Sequence, residues 1–167
     1  MERWRRIGAA AVEEAQALLR VCCGAERWVD RMMARRPFAD RDTVLAAARD
    51  EWFRLRPDDW REAFSHHPPI GDREAMRARF SATRTLSERE QSGLTGASEV
   101  VLAALIEANR RYQERFGFIF IVCASGKSAD QMLALLQARL DNDAATELRI
   151  ATEQHAQICE LRLLSDG

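Results

Sequence analysis

Phe118-Ile119-Phe120-Ile121-Val122-Cys123 is the stretch that decides the fold. Built almost wholly of aromatic and β-branched residues, it is the one segment of the chain with strong strand propensity. A strand needs partners, and one apolar segment cannot make a sheet alone. What flanks it is helical. Upstream, Val101, Leu105, Ala108, Tyr112 and Phe116 recur every three or four residues from a start near Ser98, and Gly117 stops them. Downstream, Ser125-Gly126-Lys127-Ser128 reads as a turn with a cap. Met132, Leu133, Leu136 and Leu140 then share a helix, Asp141-Asn142-Asp143 is a loop, and a last helix begins near Ala144 and runs to Leu164. The expected fold is therefore all-α, a single-domain compact bundle of about eight helices over residues 1–167.

The amino-terminal half reads the same way. Residues 4–22, rich in Ala, Leu, Glu and Arg, predict one helix broken at Gly24. Trp28, Val29, Met32 and Met33 predict a short helix ended by Arg36-Pro37. Asp40 or Asp42 caps a helix carrying Val44, Leu45, Ala48, Trp52 and Leu55, and Pro57 stops it. Asp58 starts another with Trp60, Ala63 and Phe64. Beyond residue 72 the pattern gives helix from Glu74 to Ala82 and a helix start at Ser87.

Composition narrows the function. With 25 basic and 26 acidic residues the net charge is −1, which favours neither nucleic acid nor an anionic membrane surface. No apolar run approaches the ~20 residues of a membrane span. Nothing in the amino-terminal residues reads as a signal peptide. Cys22, Cys23, Cys123 and Cys159 show no disulfide framework and no metal-ligand spacing. A reduced, cytoplasmic protein is expected, with no HExxH, CxxC, GxGxxG or P-loop motif and hence no metal or nucleotide site signalled.

Phe64-Ser65-His66-His67-Pro68-Pro69-Ile70-Gly71-Asp72 could carry chemistry. Pro68 disfavours helix at His67, so the histidine is expected on a stiff, extended elbow. A rigidly held imidazole suits acid–base work, although a plain helix connection with solvated histidines explains the same spacing. Ser87, Glu90 and Gln91 share the first turn of a helix. Ser-x-x-Glu is also a capping box, which leaves only Gln91 unexplained. Phe120 to Ala124 would leave backbone amides for a ligand's carbonyl oxygens, unless the chain satisfies them itself. Arg162 follows Leu148, Ala151, His155 and Ile158 along the face of the last helix expected to be buried. It calls there for a carboxylate of the protein or of a ligand, or packs its stem with the head in water.

Taken in order, five segments resemble the 2-oxo-4-hydroxy-4-carboxy-5-ureidoimidazoline (OHCU) decarboxylases of urate degradation. They are Cys22-Cys23-Gly24 with Trp28-Val29 and Arg36-Pro37-Phe38; His67 to Asp72; Ser87 to Gln91; Asn109 and Tyr112 with Phe116-Gly117-Phe118 and the apolar run to Ala124; and Arg139-Leu140-Asn142 with Glu147 and Leu161-Arg162-Leu163. The resemblance implies an all-helical, cofactor-free decarboxylase, commonly a homodimer, that turns a small molecule, OHCU, into (S)-allantoin. It implies a functional link to hydroxyisourate hydrolase and urate oxidase. By the same resemblance His67 is the catalytic histidine, the substrate-binding positions fall on Pro68, on Ser87, Glu88, Arg89, Glu90 and Gln91 and on Phe120, Ile121, Val122, Cys123 and Ala124, and Arg162 matches a family arginine. Glu90, an anion at a helix start, is read here as the partner that orients His67, and Arg162 as the charge that faces the substrate carboxylate. Two other readings stand beside it. One is a non-catalytic helical interaction module; the other is a metal-dependent hydrolase using His66, His67 and His155.

Overall fold

In the computed structural model, residues 1–67 and 95–166 are described, the side chains of residues 95–98 excepted. The expected helix over Glu74–Ala82, the helix start at Ser87 and the stretch from Pro68 to Asp72 lie outside the described residues. Eight helices are found among the described residues, and no strand. They are α1 (Arg3–Ala9), α2 (Val12–Cys22), α3 (Glu26–Ala34), α4 (Arg41–Phe53), α5 (Pro57–Ser65), α6 (Thr95–Phe116), α7 (Ala129–Leu140) and α8 (Ala144–Leu164). The fold is all-α. Phe118 to Cys123 is irregular chain.

Local chemistry explains most of the boundaries. The Asp40 carboxylate accepts the Thr43 amide at 2.8 Å and starts α4. Ser128 and Gln131 exchange side-chain and backbone bonds in a capping box that starts α7. Gly117 sits at φ +77°, the left-handed conformation that ends α6. Two boundaries differ from the sequence reading. Pro57 opens α5 and does not merely stop α4, as suits a residue with no amide to donate at a first helical position. The expected helix over residues 4–22 is two, because Ala10 is extended at φ −72°, ψ 158°. Gly8 is the one poor helix former near the break, and Ala10 itself favours helix. The break is held from outside by Arg36, whose Nη2 donates to the carbonyls of Ala10 at 2.5 Å and Gly8 at 3.3 Å.

The described residues fall into two compact units. The first holds residues up to His67, Ile121–Cys123 and everything from Ile150 onward. Its core is apolar and tryptophan-rich, with Ile7, Leu19, Trp28, Met32, Val44, Trp52, Phe64, Ala151 and Leu163 buried. Two fully buried indole N–H groups find helix carbonyls: Trp28 on Ala48 at 3.1 Å and Trp52 on Thr152 at 2.9 Å. A second ring of bonds is ionic. Glu51, 6% exposed, accepts from Arg31 at 3.3 Å and Arg35 at 2.9 Å. Burial pushes its carboxyl up, but Arg35, Arg54 and Arg31 outweigh that and hold it below the usual range.

In the second unit, described from α6 through Phe120 and from Ala124 to Arg149, the buried polar residues close on one another. Glu147 is fully buried and accepts from Arg139 Nε at 2.7 Å, from the Tyr112 hydroxyl, and from Asn142 Nδ2 at 2.9 Å. Arg139 also lies over the Phe120 ring at 4.6 Å. Phe116, Phe118 and Phe120 pack around Tyr112 at centroid distances of 4.7, 5.8 and 5.4 Å.

Candidate active site

The amide of His66 donates to Ala63 and that of His67 to Phe64, both at 3.2 Å, so both histidines ride on the final turn of α5. The rigidity expected from Pro68 is thus supplied on the described side by the helix end itself. The two side chains go to different places. His66 is exposed, and its ring covers Gly24 so closely that a Cβ there would fall 2.4 Å from His66 Cγ. His67 turns inward and meets His155 of α8 edge to face, with ring centroids 5.0 Å apart at 77°. The trio His66, His67 and His155, considered above as metal ligands, is therefore not assembled; only the last two meet.

His155 has no exposed surface. Its ring stacks on Trp52 at 4.3 Å and 19° and leans on Phe64 at 5.7 Å. Nδ1 lies 3.4 Å from the Cys159 thiol, one turn along α8. Nε2 is buried with no hydrogen-bond partner among the described residues. Burial, then the charges of His67 and Arg162, push its pKa well below the ordinary 6.5, so this imidazole is neutral at physiological pH. Below it lies a pocket of thiols. Cys159 donates to the Cys22 carbonyl at 3.2 Å. Burial raises the Cys159 thiol far above its ordinary pKa and the Cys22 thiol to about 11, so neither is a reactive thiolate.

Arg162 is half-buried, and no carboxylate of the described residues pairs with it. Its Nη1 instead donates to the carbonyls of Val21 at 3.3 Å and Cys22 at 3.2 Å, where α2 ends with unmatched acceptors. Nε and Nη2 bond nothing among the described residues, which leaves charge and donors for a ligand. In the stretch from Phe120 to Ala124 two backbone amides are met by the chain itself. The Phe120 amide donates to Asn109 Oδ1 at 3.1 Å and the Cys123 amide to Gln154 Oε1 at 2.9 Å. At these two positions side-chain amides of the chain take the backbone N–H groups. Pro68, Ser87, Glu88, Arg89, Glu90 and Gln91 lie outside the described residues.

Sequence reasoning missed the company His67 keeps. In the sequence Trp52 reads as part of a helix's apolar stripe, Cys159 as a cysteine without ligand spacing, and His155 as one residue of a buried helix face or a possible metal ligand. The one available signal was His155-x-x-x-Cys159, which places an imidazole and a thiol on the same side of a helix. Cys23 joins them in space: the ligand atoms of Cys23, His155 and Cys159 all lie within 4.8 Å of one another.

Comparison with known proteins settles the family. Residues 9–164 match the OHCU decarboxylase family. The chain belongs to that family. It is 34% identical over 154 residues to the uric acid degradation bifunctional protein TTL of Arabidopsis thaliana, covering 92% of this chain and 47% of that protein. Thus the chain spans about half the length of that relative. It is also 34% identical over 129 residues to the 2-oxo-4-hydroxy-4-carboxy-5-ureidoimidazoline decarboxylase of Amia calva, covering 77% of this chain and 73% of that one. A crystal structure of OHCU decarboxylase in the presence of (S)-allantoin superposes with a TM-score of 0.70 at 36% identity, covering 86% of this chain and 92% of that one. OHCU decarboxylases are carboxy-lyases, and the all-helical architecture described above is theirs as well. No described helix is long and apolar enough to cross a membrane.

Proposed function

We propose that this chain decarboxylates OHCU to (S)-allantoin in uric acid degradation, without a cofactor, and that His67 is its acid–base group. The observation that carries the reading is the placement of His67. A family match covers residues 9–164, and His67 is held at a helix end against a buried, neutral second imidazole.

The substrate supplies its own electron sink. Its scissile carboxylate sits on a ring carbon next to a C=N bond. When the bond to CO2 breaks, the electron pair moves into that imine. The enol-amine that results takes a proton at the carbon bearing the ureido group, and the face of delivery sets the configuration. The protein must hold the carboxylate out of the ring plane, stabilise charge on the ring and deliver that proton. His67 would move the proton, and a neutral His155 beside it would add no opposing positive charge. Glu90 would orient the His67 ring. Pro68, Ser87, Glu88, Arg89 and Gln91, with Phe120, Ile121, Val122, Cys123 and Ala124, would enclose the substrate. Arg162, with Nε and Nη2 uncommitted, would face the carboxylate.

A homodimer in the cytoplasm, working in sequence with hydroxyisourate hydrolase and urate oxidase, completes the proposal. The word bifunctional in the Arabidopsis relative's name supports that coupling. To test the activity, OHCU is generated in situ from urate by those two enzymes. Faster appearance of (S)-allantoin by circular dichroism on adding this protein supports the reading. A rate equal to the spontaneous one refutes it.

A further inference from the structure

We propose that Cys23, His155 and Cys159 form a binding site for one thiophilic divalent cation of the Zn2+ or Cd2+ kind. The proposal does not rest on the decarboxylase reading. The donor atoms of the three residues lie within 4.8 Å of one another, and Cys159 Sγ and His155 Nδ1 are 3.4 Å apart. A tetrahedral ion with a sulfur at about 2.3 Å and a nitrogen at about 2.0–2.1 Å sets those two donors roughly 3.6 Å apart. The α8 pair is therefore already at coordinating separation, and only Cys23 must close in. Spacing agrees with this. His155 and Cys159 are one helical turn apart, the interval of paired ligands in zinc-binding helices. Cys23 comes from a different element, directly after the last residue of α2.

The chemistry of the donors selects the ion. Two thiolates and an imidazole are a soft set that disfavours Mg2+ or Ca2+. Cys23 and His155 have no exposed surface and Cys159 has 3%. In such a place a net charge would be costly. Two thiolates cancel the dication, so the loaded site is neutral. The balance is simple: the ion enters, the Cys23 and Cys159 thiols release one proton each to solvent, His155 binds through Nδ1 with its proton on Nε2, and a water takes the fourth position. No electrons move. The alternative is that these cysteines only pack as small apolar groups.

The test uses the whole reduced protein, freed of metal and brought to equilibrium with one equivalent of Co2+. Expected are a thiolate-to-cobalt charge-transfer band with tetrahedral ligand-field bands, two protons released per ion, and bleaching by one equivalent of Zn2+. Cys23→Ala and Cys159→Ala, each checked for native circular dichroism, should lose the band, while Cys123→Ala should keep it. No band in the folded wild-type protein, or none of the expected proton release, overturns the proposal without recourse to variants. A band that survives both Cys23→Ala and Cys159→Ala overturns it too.

Discussion

Two buried polar clusters in this chain are built on opposite plans. Around Glu147 everything is paired: two oxygens of one carboxylate receive Arg139, Tyr112 and Asn142, and burial drives the Tyr112 hydroxyl far above its usual pKa so that it stays a donor. Around His155 the ring is stacked, edged and fully buried, yet Nε2 goes unmatched among the described residues. A saturated network has nothing left for a ligand and acts to fix the fold. An imidazole kept neutral beside a second imidazole stands ready for proton chemistry instead. Both clusters draw on residues of the family's pattern, so membership in the pattern does not separate structural from chemical roles. Hydrogen bonding does.

The sharpest way to break the contrast is to remove one member from each cluster. His67→Ala should lower turnover by about 10² to 10⁴ with melting temperature nearly kept, as loss of an acid–base group does. Glu147→Ala should do the reverse. It strands the Arg139 guanidinium, 8% exposed, without its carboxylate, for a loss of about 3–5 kcal/mol in denaturant unfolding. If Glu147→Ala cost turnover while leaving stability intact, the division of roles would fail.

A smaller effect sharpens the His155 side. A histidine whose folded pKa is depressed binds its proton more weakly folded than unfolded. Above pH 6.5, its ordinary value, both states are neutral and stability is at its full value. Below it the unfolded chain takes up a proton that the folded one refuses. Stability should then fall by up to about 1.4 kcal/mol per pH unit between roughly pH 6.5 and 5. His155→Gln should flatten that slope; an unchanged slope would mean that His155 is not the group responsible.

Glu90→Gln should lower turnover more than substrate binding if that carboxylate orients the ring. If it is only a capping-box partner, about 1 kcal/mol of stability is lost and turnover stays. The smallest change belongs to His66→Ala. His66 is exposed with its ring over Gly24, and turnover within twofold of wild type is expected, a margin of about 0.4 kcal/mol. A chelator should leave turnover unaltered, since no step in the proposed reaction uses a metal; activity lost on chelation and restored by added zinc would mean that a metal takes part in the reaction.

What the sequence made legible was whatever is local. The lone apolar segment implied an all-helical chain, Asp40 and Ser128 marked helix starts, and Gly117 marked an end. Less visible was anything decided across the chain. Ala10 is a helix former, and its extended backbone comes from Arg36. Arg162 sits near the buried face as its spacing implies, but what it meets there, the carbonyls that end α2, cannot be read from one helix. The same holds for Asn109 and Gln154, which take the Phe120 and Cys123 amides expected for substrate. His67 was visible as a candidate because proline follows it. His155 was visible only as one residue in a helical face.

The central claim is that His67 carries the proton in OHCU decarboxylation. The most direct test follows (S)-allantoin by circular dichroism, with OHCU generated in situ, for wild type, His67→Ala and His66→Ala at matched, folded concentrations. The account predicts rapid, single-handed product from wild type and His66→Ala, and for His67→Ala only the slow background of spontaneous breakdown. Near-normal formation of (S)-allantoin by His67→Ala would contradict it.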